Sequence, residues 1–372
     1  MDNSRPTWAE IDLEAIKHNI RSIRLAAPAA KMMAIVKANA YGHGMVKIAQ
    51  TCQGEDVDFF GVASLQEALD LQAAGIKAPI LVLGYIPEEY AEEVVQNNIR
   101  VTICNFDFAR ALSQAARKLS KRALLHIKVD TGMGRLGFFP DAASLSGIDK
   151  IASLPGIYME GIFTHFAEAD LQDKAYTLEQ LNLFNGFVGR LKEKGIDFPI
   201  KHCANSAAIM DINNTHLNMV RAGIIIYGLY PSHEVRKENL NLIPAMKLKS
   251  RISFLKSFKA GMTIGYGRTF CCREETLVAT IPIGYADGYN RLLSNRAWAV
   301  VKGQRVPLIG AVCMDQCMFD VTKVKGVKEG DEIILFGRPE DGVTADDLAE
   351  MQGTINYEIV CSVSARVPRK YI

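Results

Sequence analysis

The chain has 372 residues, 49% of them hydrophobic, with a formal net charge of +2. That is enough for one large domain plus a smaller one, each with its own core. A near-neutral balance without a long basic run argues against a nucleic-acid partner, and no stretch of about 18 uncharged apolar residues exists to span a membrane.

The opening MDNSRPTWAEIDLEA has no basic-then-apolar signal pattern, so a cytoplasmic protein is expected. The first helix is DLEAIKHNIRSIRLAA, with Leu13, Ile16, Ile20 and Ile23 on one face and Asp12 as its cap. Strand-like runs then alternate with helical patterns: KMMAIVKA, DFFGVAS, PILVLG, IRVTIC, ALLHIKVD, YMEGIFTH, IKHCAN and NMVRAGIIIYG. Eight such runs predict a (β/α)8 TIM-type barrel over residues 12–236, with a doubly wound open sheet as the rival. The polar segment 229–243 marks a boundary. Beyond it the runs are short and strand-like, apart from TADDLAEMQ, which predicts a mostly β C-terminal domain over 237–372. The eight cysteines are scattered and read as reduced thiols. Cys313 and Cys317 form a CxxxC with no second ligand pair at finger spacing, so no metal site is expected.

A barrel carries its active site at the C-terminal ends of its strands. There the sequence places Lys37, then Lys128 and Asp130 running into TGMGRLG with Arg135, then His165, Ser206, Arg221, Gly223 and Ile224. The loops after strands seven and eight are where barrels often hold phosphate, and glycine lets backbone N–H groups approach an anion. A lysine amine beside a phosphate site points to a Schiff base with pyridoxal phosphate. Gly132, Gly134 and Gly137 form a GxGxxG, but FFPDAASL intervenes before the next helix, so a dinucleotide site is not expected.

The segments AIVKANAYGHG, VDTGMGRLGF, GIFTHFAEAD, CANSAA, RAGIIIYG, IGYGRTF, IPIGYADGYNR, GAVCMDQCMFDV and TINYEIVCSVSARVPRKY resemble, in order, the motifs of bacterial alanine racemases. The resemblance implies a pyridoxal-phosphate barrel with a β domain that the N-terminal segment 1–11 joins. It implies a homodimer with shared active sites, and D-alanine made for peptidoglycan. It makes Lys37 the lysine on the cofactor aldehyde, and Tyr41, Ser206, Gly223, Ile224 and Tyr357 the phosphate contacts. Arg221 would face the pyridine nitrogen. Arg135 and the Met314 backbone N–H would hold the substrate carboxylate. Tyr266 would be the second catalytic base, reaching the other subunit's site, and His165 would link that tyrosine to Arg221. Lys128 matches a lysine that is often carbamylated and steadies Arg135.

Racemisation needs proton carriers on two opposite faces of the α-carbon. Lys37 and Tyr266 have reference pKa values of about 10, so both need a lowered pKa or local support to act near pH 7. Arg221 and Arg135 could supply the positive field. An arginine cannot accept a proton from the ring nitrogen, which restrains side reactions. Three other readings compete: a broader-specificity serine racemase of the same fold, a decarboxylase on the same kind of barrel, and a non-catalytic cofactor-binding protein. Tyr266, Tyr285 and Tyr357 suggest a narrow entrance, which favours alanine.

Overall fold

The eight apolar runs become eight parallel strands: β2 (Lys31–Ile35), β3 (Phe59–Val62), β4 (Ile80–Val82), β5 (Arg100–Ile103), β6 (Ala123–Lys128), β7 (Ile157–Phe163), β8 (Ile200–His202) and β9 (Met219–Ala222). The computed structural model describes residues 5–372. Strands β8 to β2 pair in descending order, and β9 pairs with β2. Two backbone hydrogen bonds cross the remaining gap, Asn218 N to Lys201 O and Arg221 N to Ala204 O, both 3.1 Å. The sheet is thus a nearly closed barrel with helices between its strands. Met33, Phe60, Leu81, Val101, Leu125 and Ile162 are fully buried, as expected for parallel strands covered on both faces. The unit that contains the barrel is made of Ile16–Ala40 and Met45–Leu242.

Two local expectations change. The first barrel strand stops at Ile35, before Lys37, and IIIYG is a 3-10 turn at Ile224–Tyr227 rather than a continuation of β9. The glycine-rich run after β6 folds back: Phe138 N donates to Lys128 O and Asp130 N to Phe138 O. A Cβ on Gly137 would lie 2.8 Å from Asp130 N. The next helix begins at Ala142 with Asp141 as its cap.

The second unit gathers residues 5–15, Tyr41–Gly44 and Ile243–Ile372. Residues 1–4 of the segment 1–11 lie outside the described residues. Strand β1 (Thr7–Ile11) lies between β10 (Met246–Arg251), antiparallel, and the last strand, Arg369–Tyr371, parallel, in a six-stranded sheet. A three-stranded sheet joins Phe254–Phe258, Thr276–Ile281 and Cys317–Asp320. Ile264, Cys272, Val278 and Ile309 form a buried cluster. The helix Ala345–Gln352 starts from a Thr344–Asp347 capping box, and a short helix follows at Asn356–Ser362. Gly42 and Gly44 belong here because of close approach: a Cβ on either would meet Val360 O at 2.1 Å or the Tyr371 hydroxyl at 1.9 Å.

Candidate active site

Lys37 opens a left-handed turn. Ala38, Asn39, Ala40 and Tyr41 all have φ between 51° and 54°, a conformation that L-residues with a Cβ adopt at a cost. Side chains from elsewhere fix the ends of this turn. The Glu67 carboxylate accepts from Ala38 N and from Ala63 N at the end of β3, both at 2.7 Å. Asn39 Oδ1 accepts from Met45 N at 2.9 Å. Just upstream, the buried Tyr227 hydroxyl donates to Ile35 O at 2.8 Å. The lysine backbone is therefore set by a strained turn held on both sides.

Arg221, on β9, is 4% exposed. Its Nη2 shares two hydrogens among Thr164 O and Cys203 O at 2.9 Å and His165 Nδ1 at 3.1 Å; its Nη1 donates to His202 Nδ1 at 3.0 Å. Among the described residues no carboxylate pairs with it. Burial lowers its pKa to about 10, so it stays protonated at neutral pH. Burial, then the charges of Arg221, Arg135, Lys128 and Lys37, push His165 well below its ordinary value. Lys128 is pulled down to about 8, chiefly by burial and then by Arg221. Its ammonium donates to Val129 O at 2.9 Å and lies over the Phe163 ring. Burial alone would raise the Asp130 carboxyl. The Gly132 and Gly134 N–H groups, which donate to Oδ1 at 3.0 and 3.1 Å, outweigh it and hold the pKa below the usual range. Arg135 is exposed on the same loop. Just after β9, Gly223 N donates to the buried Ser206 Oγ at 3.0 Å, and Ile224 follows.

The remaining candidates lie in the second unit. Tyr266 is 71% exposed between Gly265 and Gly267, whose φ values are 69° and 71°. Met314 is exposed on a loop closed by Cys313 N to Gln316 O. That loop lies against Gly284, where a Cβ would come within 2.4 Å of Met314 O. Tyr357, on the short helix, and Tyr41 have ring centroids 6.0 Å apart. Burial, then Cys361, pushes the Tyr41 phenol up, so it remains a hydroxyl. All eight cysteines are free thiols, and among the described residues no cluster suits a metal and no helix is long and apolar enough to cross a membrane.

Residues 11–231 match the alanine racemase N-terminal domain family and residues 245–371 the alanine racemase C-terminal domain family. The chain belongs to the alanine racemase family. An alanine racemase of Clostridium perfringens is 50% identical over 99% of this chain and 95% of its own. A solved alanine racemase of Clostridium difficile superposes with a TM-score of 0.95 at 43% identity, covering 100% of this chain and 97% of the other. A second structure from that organism, in complex with cycloserine, gives 0.94 at 41% identity, covering 100% and 96%. The sequence did not single out Glu67 or His202, which contact the turn after Lys37 and the Arg221 guanidinium. His202 had a signal, a histidine inside an apolar strand run; Glu67 looked like an ordinary exposed helix residue.

Proposed function

We propose that this chain interconverts L-alanine and D-alanine with pyridoxal phosphate, Lys37 and Tyr266 moving protons on opposite faces of the α-carbon. The observation that carries the reading is Arg221, a buried, protonated guanidinium with histidines and carbonyls around it and no carboxylate. When bound, the cofactor supplies an aldehyde for amines and a ring that spreads the charge left by the departing proton. The residues fit such a group. Four cations, Arg221, Arg135, Lys128 and Lys37, act on His165, which suits a phosphate and a substrate carboxylate. Ser206 Oγ, whose lone pair receives Gly223 N–H, keeps its hydrogen for a phosphate oxygen. Ile224 N–H would extend that cradle, and the family motifs also assign Tyr41 and Tyr357 to the phosphate.

Arg221 would face the ring nitrogen as a donor and could not take a proton from it. Lys37 Nζ takes the α-proton on one face, and Tyr266 Oη delivers one on the other. Arg135 and the Met314 N–H hold the carboxylate still. Because His165 Nδ1 accepts from Arg221, its own hydrogen is on Nε2, from which it can donate to a tyrosine. The exposed Tyr266 is assigned to the site of a partner subunit in a homodimer. The neutral fraction of Lys128 can add CO2 to give a carbamate, releasing one proton, and its negative charge would steady Arg135. The work is cytoplasmic, in keeping with eight free thiols, and supplies D-alanine for peptidoglycan. The relatives described above are all alanine racemases, so a serine racemase finds no support.

The test is racemisation of L-alanine with L-serine alongside, followed by mixing Lys37→Ala with Tyr266→Phe. Racemisation of L-alanine, with partial recovery in mixed dimers, is expected. Absence of turnover, or no recovery once mixed dimers are shown to form, would overturn it.

A further inference from the structure

The contacts of Arg221 do not end at His202. His202 Nε2 lies 3.0 Å from His126 Nδ1, and His126 Nε2 lies 3.1 Å from Glu160 Oε2. Glu160 in turn accepts from Arg100 Nε at 3.1 Å and Nη2 at 3.3 Å. Both imidazoles are 0% exposed. The chain runs from the C-terminal end of β9 through β8 and β6 to β7 and the first residue of β5, so it crosses the barrel interior.

Its protons can be assigned without seeing them. A guanidinium has no acceptor, so His202 Nδ1 carries no hydrogen. Burial, then Arg221, keeps that ring neutral, which puts its hydrogen on Nε2. His126 Nδ1 must then accept, and its own hydrogen sits on Nε2, facing a carboxylate that can only accept. Burial, opposed by Glu160, keeps this second ring below its ordinary pKa as well. Every hydrogen points from Arg221 towards Glu160. The groups facing the rings are Arg221 and Lys128 at His202, and Glu160 and Arg100 at His126.

We propose that Glu160 is a positioning residue for Arg221, acting through His126 and His202 held as neutral Nε2–H tautomers. The carboxylate excludes the opposite arrangement. A donor in its place would let His126 carry its hydrogen on Nδ1; His202 would then carry one on Nδ1, directed at the guanidinium, and the Arg221 contact would break. The surroundings are shaped for the rings. Gly161, next to Glu160, would place a Cβ 2.3 Å from His126 Nδ1, so only glycine leaves room. The β6–β7 register shifts at Leu125/His126. Phe163 stacks on His202 with centroids 4.6 Å apart and planes 6° apart, fixing that ring's tilt. The consequence for the cofactor rests on the reading of Arg221 given above; the tautomers do not.

The test is 15N-histidine labelling of the holoenzyme, correlating ring nitrogens with carbon-bound protons. Of the seven histidines, two buried ones should be neutral Nε2–H forms at pH 7. Glu160→Lys, whose ammonium can only donate to His126 Nε2, should add Nδ1–H signals for both and weaken pyridoxal phosphate binding about tenfold, the scale known for outer partners of metal ligands. Arg100→Lys, which keeps a cation on Glu160, should leave the tautomers unchanged. The wild-type spectrum tests the chain even if Glu160→Lys fails to fold: an Nδ1–H or imidazolium form at His126 or His202 would overturn the proposal. So would Glu160→Lys with unchanged tautomers and affinity. Tautomers that respond as stated in an enzyme that does not racemise alanine would uphold the relay and refute only the assigned reaction.

Discussion

Removing the Glu67 carboxylate should disable the enzyme from a position that touches no reactant. Four consecutive residues after Lys37 are left-handed. At about 1–2 kcal/mol for each residue other than Asn39, which tolerates the region better, the turn costs about 3–6 kcal/mol. Glu67 opposes that cost with two short hydrogen bonds from Ala38 N and Ala63 N. Bonds to a charged group contribute about 1.5–3 kcal/mol each. Glu67 is half-buried, so solvent screening reduces the pair to about 2–3 kcal/mol. If that loss appears as misplacement of Lys37, Glu67→Ala should lower kcat/KM about 30- to 150-fold. Glycine enters the left-handed region freely, so Ala38→Gly in the same chain should restore about fivefold, from about 1 kcal/mol of strain relieved. The assays are alanine racemisation and borohydride trapping of the lysine. Wild-type turnover and trapping in Glu67→Ala, or no recovery with Ala38→Gly, would refute the view that this turn is held from outside.

Gly161→Ala should destabilise the barrel by about 2–4 kcal/mol through its clash with the His126 ring; an unchanged melting temperature would show that the ring can move aside. Lys128 titrates at about 8 when folded against a reference of 10.5. Below pH 8 the amine is charged in folded and unfolded chains alike, and the burial penalty is fully present. Between pH 8 and 10.5 the folded chain sheds the proton first, so stability rises with pH by at most ~3 kcal/mol. In CO2-free buffer Lys128→Met should therefore be stabilised relative to wild type at pH 7, by a margin that shrinks towards pH 10; a margin flat with pH would contradict the shift. Tyr266→Phe should suppress α-proton exchange from one alanine enantiomer far more than from the other, and equal small losses would argue against two proton carriers.

The barrel was legible because parallel strands covered on both faces are written as apolar runs, and eight of these lie between helical patterns. Polar residues at the ends of such runs pointed to Arg221, His165 and Lys128, since a charged group there has few structural reasons to exist. The turn after Lys37 was not legible: Ala38 and Ala40 carry no left-handed signal, and only contacts from Glu67 and Asn39, distant in sequence or hidden in the backbone, impose it. IIIYG read as strand because its β-branched composition outweighs the missing partner; in the fold it bends into a 3-10 turn that ends at Gly228 in the left-handed region. The short helix at Asn356–Ser362 was missed for the same reason, TINYEIV being rich in strand formers. The His126–Glu160 contact joins two strands and could not be deduced from spacing along either.

The position of β1, between β10 and the last strand, sets a timetable for biosynthesis. Trp8 and Ile11 are translated before both neighbours of their strand, which are encoded at least as late as Met246. At about 5–20 residues per second, the ribosome makes β1 wait roughly ten seconds to a minute for the first of them. During that interval the strand has two open edges and an apolar face, while the whole barrel sequence emerges and can condense. A nascent-chain chaperone that masks such edges would find its binding site in β1.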